Sequence, residues 1–218
     1  ALCFLAVLRL PKQAGMKERA TWRDYLLVVQ HKRFLPIYLT LIVWGLTESS
    51  VMQFQALHIV ASGYPQAYTS IFIAFAMVGE AIMFALAPKL QKKLGEDLLI
   101  GLAFLLQFFR VGTLALVGWI PIYVTTFFQF TGGGAYAAVY STITQKVSNS
   151  FPQSISCSAQ NLKLVAYRGV GMTCGLMLIG IFYKEGTSAA AFLILAICAL
   201  VACLYYAALG VKERKCVS

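Results

Sequence analysis

AYTSIFIAFAMVGEAIMFALA, residues 67–87, is a run of 21 residues that contains a single charged side chain, Glu80. An α-helix needs about 20 apolar residues to cross the hydrocarbon core of a bilayer, so this run has the required length. It lacks the regular alternation of apolar and polar residues that is typical of membrane β-strands. Residues 67–87 therefore predict a transmembrane helix.

Similar apolar runs recur along the chain. The positions of the prolines agree with the bounds of these apolar runs. Pro36 and Pro121 fall at predicted helix starts, and Pro88 falls at a predicted helix end. The composition is 60% hydrophobic and 12% charged, whereas soluble domains are about a quarter charged. We therefore predict an all-α integral membrane bundle of six helices. Besides residues 67–87, the predicted spans are residues 34–60, 98–117, 122–144, 155–183 and 188–209.

Basic residues are distributed unevenly between the predicted loops. Fourteen of them lie before the first span, in alternate loops and in the tail, whereas the other loops contain only Lys184. Under the positive-inside rule the more basic side is cytoplasmic. The sequence therefore predicts a plasma or inner membrane protein with both ends in the cytoplasm. Nucleic acid is not expected as a partner, because no aromatic or glycine-rich binding surface accompanies the net charge of +10.

The chain divides into four predicted parts. Residues 1–10 are apolar, and basic residues follow them instead of preceding them as in a signal peptide. We interpret residues 1–10 as the tail of a preceding transmembrane helix. Residues 34–210 form the six-helix unit, and residues 211–218 form a cytoplasmic tail.

The remaining part, residues 11–33, is predicted to be a cytoplasmic linker. It is polar and charged, and it includes a pattern typical of a short amphipathic surface helix. The residues that would share one face of this helix are Trp22, Tyr25, Leu26 and Val29.

Five charged residues fall inside the predicted spans. Each would cost about 2.5–3.5 kcal/mol at the centre of an isolated helix, so we expect them to face protein or water and to find partners. At 1.5 Å per residue, three lie near the midplane and two slightly closer to the cytoplasm. The first group is Glu48, Arg110 and Arg168, and the second is Glu80 and Lys163.

Two interpretations of these charges stay open. They form ion pairs that hold helices together, or they form a proton relay and substrate site. Glu48 and Glu80 are the candidate proton carriers, because a carboxyl group in a low dielectric can hold a proton near neutral pH. The excess of one basic residue in the spans leaves room for an anionic group of the substrate.

Uncharged polar and small residues accompany the charges. Gln55 lies two helical turns after Glu48 on the same face, and Gln129 lies within the fourth span. Small residues permit close helix packing and also bending, which a transporter that rocks between states requires. We interpret three consecutive residues of the fourth span as a site of helix flexibility: Gly132, Gly133 and Gly134.

Three stretches carry a resemblance to a known family. They are VGEAIMFALAPKLQKKLG at residues 78–95, LQFFR at residues 106–110 and SAQNL at residues 158–162. In their order and loop charges they resemble the C-terminal half of a major facilitator superfamily transporter. The closest group is the lactose-permease-like and nucleoside–proton-symporter-like transporters, and the resemblance covers residues 33–213.

The resemblance implies proton-coupled symport of a small molecule by alternating access, with an inverted repeat of three plus three spans. It also implies that a six-helix N-terminal half is missing. On this resemblance Glu80 matches the substrate-contacting acid, Arg110 the coupling arginine, and Glu48 with Lys163 an acid–lysine pair. The sugar permeases carry a His and a Glu on the tenth helix, where this chain has Gln129 and glycines.

Two other classes of function are the alternatives. The chain is a stand-alone six-helix membrane protein, acting as a homodimeric carrier or a scaffold, or it is a membrane-embedded enzyme. We find no nucleotide loop, Ser-His-Asp set or metal cluster in the sequence, and no cysteine forms a zinc-type pair with histidine. We therefore expect neither enzymatic activity nor a cofactor.

Overall fold

The computed structural model describes residues 21–31, 34–183 and 189–217, which are almost entirely helical. The predicted helix tail at residues 1–10 and residues 11–20 of the predicted linker lie outside these described residues. Helix α1 is Trp22–Gln30, α2 is Phe34–Ala61, α3 is Ala67–Leu94, α4 is Glu96–Ala115 and α5 is Ile122–Ser150. A 3-10 turn, Gln153–Ile155, is followed without a break by α6 (Ser156–Leu164), a π-helical segment π1 (Val165–Met172) and α7 (Thr173–Phe182). Helix α8 is Ala189–Val217.

The prediction of an all-α membrane bundle is confirmed. In the described part of the chain, five helical segments are long and apolar enough to cross a membrane. Helix α5, the remaining predicted span, is 29 residues long but is not one of these five. Its sequence contains threonine, serine, glutamine and glycine, and many of these residues are buried in the bundle instead of facing lipid. The five segments are Phe34–Ala61, Ala67–Leu94, Glu96–Ala115, Gln153–Phe182 and Ala189–Gly210.

Helix α3 does not end at Pro88 as predicted. It continues to Leu94 and stops at Gly95, whose φ of 87° lies in the left-handed region that favours glycine. The last turn contains Lys92 and Lys93, where positive charge is favoured by the helix dipole. Helix α8 likewise runs on to Val217, so most of the predicted tail is helical.

Helix α1 confirms the short helix predicted in the linker. Of the four residues predicted to share one face, Tyr25 contacts the bundle by accepting a hydrogen bond from Asn161, whereas Trp22, Leu26 and Val29 are exposed. Val28, which is outside the predicted face, is fully buried. The first turn is stabilised by Asp24, which accepts hydrogen bonds from the backbone N–H and the hydroxyl group of Thr21. These two donors lower the pKa of the Asp24 carboxyl group.

The long helices pack in a pattern with an internal symmetry. Helix α2 packs against π1, α3 packs against α5, and α4 packs against α8. If spans one, two and three are exchanged with spans four, five and six, the contact between α2 and π1 becomes the contact between α5 and α3. The contact between α4 and α8 is unchanged. This is the contact pattern expected of two repeated units of three spans each.

Glycines bring the first two of these pairs into close contact. A Cβ atom added at Gly133 on α5 would lie 1.9 Å from the backbone oxygen of Ala76 on α3. A Cβ atom added at Gly45 on α2 would lie 2.2 Å from the backbone oxygen of Tyr167 in π1. Neither contact leaves space for a side chain, so both helix pairs depend on glycine for their packing distance.

Candidate functional site

A buried ion pair connects α2 to α4 inside the bundle. Nη1 of Arg110 lies 3.1 Å from each carboxylate oxygen of Glu48. The side chains are 1% exposed for Glu48 and 5% exposed for Arg110. Removing either charge from water is costly, and close pairing offsets that cost. Opposite charges therefore hold α2 and α4 together at this level.

Gln107 completes the set of donors around the Glu48 carboxylate. Its Nε2 donates a hydrogen bond to Oε2 of Glu48 at 3.0 Å, and the residue is fully buried. It lies three positions before Arg110, which places both side chains on one face of α4. Gln107 was not predicted, although it lies within the quoted LQFFR stretch and is, like Gln129, a polar residue inside a predicted span.

Helix α5 supplies the other partner of Arg110. Nε of Arg110 donates a hydrogen bond to Oε1 of Gln129 at 2.9 Å. Gly132 lies on the same face, and a Cβ atom added there would be only 2.0 Å from Cδ of Arg110. Glycine at 132 therefore makes room for the arginine side chain. Helix α5 is continuous through this position, and flexibility at the glycines stays a prediction.

These side chains border a cavity of about 140 Å³ between α2, α3, α4 and α5. The aromatic side chains of Phe72 and Tyr136 also line it. The cavity brings together residues that are far apart in sequence, including the half-buried Glu80 of α3. Five of the seven predicted substrate or coupling residues line it: Glu48, Gln55, Glu80, Arg110 and Gln129.

Two polar atoms of cavity-lining residues have no hydrogen-bond partner within the described ranges. They are Nε2 of Gln129, a residue that is 1% exposed, and Oγ1 of Thr69. Leaving a polar group unpaired in a protein interior costs about 1–3 kcal/mol, so such groups commonly face a bound water or ligand. Nε2 of Gln129 is therefore an unpaired donor that is buried in the wall of the cavity.

Lys163 does not pair with Glu48, and the acid–lysine pair that the resemblance implied is wrong in this structure. Nζ of Lys163 donates to Oγ1 of Thr144 at 2.6 Å and lies 4.3 Å from the centre of the Tyr140 ring. Lys163 is buried on α6, where these neighbours from α5 surround it. The Glu48 carboxylate pairs with Arg110 instead.

Arg168 shares the predicted depth of Glu48 but does not line the cavity. It lies in π1 and is exposed. A depth count assumes a regular α-helix, whereas a π-helical segment has a different number of residues per turn and changes the direction in which later side chains point. In this structure Arg168 is therefore not one of the residues that line the cavity.

A second group of charges connects the start of α4 to the end of α5. Nζ of Lys146 lies 2.5 Å from Oδ1 of Asp97 and 3.7 Å from Oε2 of Glu96. The Lys146 and Glu96 side chains are 26% and 35% exposed, so this group is partly solvated. Within the described ranges, no three His, Cys, Asp or Glu residues group as metal ligands would.

Comparisons with known proteins give one match. The sequence profile described as MFS_1 like family matches residues 6–194, which include all the residues that line the cavity. No curated protein and no solved structure matches the chain significantly.

Proposed function

The chain belongs to the MFS_1 like family and is a multi-pass membrane transporter, and on this premise we propose that it moves a small solute by proton-coupled alternating access. The observation that carries the proposal is the cavity in which the Glu48–Arg110 pair, Gln129 and Glu80 meet. Ionisable residues inside a membrane are costly, and they typically mark substrate and proton pathways. A packed bundle needs no such cavity for stability.

We assign proton coupling to Glu80. Glu48 is bound by Arg110 and Gln107, whereas Glu80 has no ion-pair partner among the described residues and is half-buried in the cavity wall. A carboxyl group in this position can exchange a proton and sense whether a solute is bound beside it. The ion pair serves to position the helices around the cavity and to link the solute to the movement of α4.

Replacing Glu80 by glutamine should abolish proton-coupled transport. The glutamine amide has nearly the same shape as the carboxyl group but cannot carry a proton. Proteoliposomes with an enclosed pH-sensitive dye would be exposed to a panel of small solutes, and proton movement driven by each solute would be measured. Glu96→Gln is the matched control, because Glu96 lies outside the cavity and should leave the signal unchanged. Full proton movement in Glu80→Gln would remove Glu80 from the mechanism.

We further propose that residues 34–210 are one six-helix half with both ends in the cytoplasm, working with a second six-helix unit. The charge distribution between loops and the exchange symmetry of the helix contacts support this arrangement. The coding DNA upstream of Ala1 should contain an open reading frame with six further hydrophobic spans. A start codon next to Ala1 would instead favour a stand-alone carrier that dimerises, and crosslinking in membranes would test that alternative.

A further inference from the structure

The charges that line the cavity do not balance. Its ionisable lining consists of two carboxylates, Glu48 and Glu80, and one guanidinium, Arg110. Glu48 and Arg110 are in direct contact and neutralise each other, so the carboxylate of Glu80 is the charge that remains. The cavity is therefore electronegative when Glu80 is ionised.

The other two basic residues of the spans do not line the cavity. Lys163 binds Thr144 and the Tyr140 ring. Arg168 is exposed and is absent from the cavity wall. The excess of basic residues in the spans suggested room for an anionic group, but among the described residues that line the cavity two are acidic and one is basic.

The aromatic residues of the remaining lining suit an organic cation. Tyr136, which is partly exposed, and the fully buried Phe72 both border the cavity, and aromatic rings attract organic cations. The volume of about 140 Å³ is close to that of cavities that hold a benzene molecule, about 150 Å³.

We infer that this cavity binds a small organic cation of about the size of choline, with the cationic group beside Glu80. The inference rests on the proposed transport function and gives it a class of substrate. Binding should depend on the charge of the solute more than on its shape, because the aromatic walls accept any apolar group of this size.

Three probes of nearly the same shape separate charge from shape. Choline is positively charged, 3,3-dimethyl-1-butanol is its neutral analogue, and 3,3-dimethylbutanoate is a negatively charged analogue. Their equilibrium binding to the whole chain in nanodiscs would be measured by isothermal titration calorimetry, without any ion gradient. We expect choline to bind at least about tenfold more tightly than the alcohol, as loss of an interaction with a charged group predicts. The carboxylate should bind most weakly.

Two glutamate-to-glutamine variants test the assigned residue. Glu80→Gln should lower choline affinity by about tenfold and bring it close to that of the alcohol. Glu96→Gln removes the same charge outside the cavity and should bind choline like the unmodified chain. Size-exclusion profiles and helical content would show that both variants are folded.

Three outcomes would overturn the inference: no binding of choline, equal binding of choline and the alcohol, or tighter binding of the carboxylate. Because binding is measured without a gradient, these outcomes leave the proposed proton coupling to be judged by the dye assay. Choline binding without any solute-driven proton movement would support the proposed class of solute and contradict the proposed proton coupling.

Discussion

Gly133→Ala should destabilise the folded bundle by about 3 kcal/mol or more, the upper range for overpacking a tight interior. The added methyl group would lie 1.9 Å from the backbone oxygen of Ala76, and a backbone atom cannot rotate out of the way. Helices α3 and α5 would have to separate, which would also open the cavity between them. The yield of folded protein and its resistance to thermal unfolding in detergent would both measure the loss.

The neighbouring glycine provides a matched control. A Cβ atom added at Gly134 would lie 3.5 Å from the nearest atom, the backbone oxygen of Gly79, which is an ordinary contact. Gly134→Ala should therefore change the free energy of unfolding by less than about 1 kcal/mol. If the glycines serve helix flexibility instead of packing, the two alanine variants should have similar effects. Similar stabilities would contradict the packing explanation.

Arg110→Gln should destabilise the fold by about 3–5 kcal/mol, because it leaves the Glu48 carboxylate buried without its cationic partner. The double variant Glu48→Gln with Arg110→Gln removes both charges and should recover a measurable part of that loss. Thermal unfolding in detergent of the two single variants and the double variant would complete a double-mutant cycle.

Lys163, a second buried cation, provides a control for the double-mutant cycle. Lys163 is hydrogen-bonded to a hydroxyl group and not to a carboxylate, so Lys163→Gln leaves no buried negative charge behind. Its effect should be about 1.5 kcal/mol or less. A double variant that loses as much stability as the two single variants together would show that the Glu48–Arg110 pair contributes no coupling energy.

The charged part of the cavity lining was predictable because charge in a membrane is conspicuous. Glu48, Glu80 and Arg110 interrupt long apolar runs, and each must face the interior to avoid the cost of exposure to lipid. Gln55 was predicted from its position two helical turns after Glu48, and Gln129 from its polarity within a span. Phe72 was not predictable in this way, because an aromatic side chain is equally suited to the interior and to lipid.

The pairing of the charges was not predictable from depth alone. Rise per residue fixes the level of a side chain in the membrane, but the direction in which it points depends on how each helix is rotated against its neighbours. Lys163 was expected to meet Glu48, and it meets Thr144 on α5 instead. Arg168 lies in a π-helical segment, is exposed and does not line the cavity.

Hydropathy and the cost of buried charge act on each segment separately, so the sequence alone was enough to predict a helical membrane bundle and to identify the charged residues that need partners. The packing of the helices was needed to show that Arg110 binds Glu48, that Gly132 makes room for the arginine side chain and that Glu80 has no ion-pair partner among the described residues. These outcomes depend on contacts between helices that are distant along the chain. The distances at those contacts are set by packing, and no local pattern of residues encodes them.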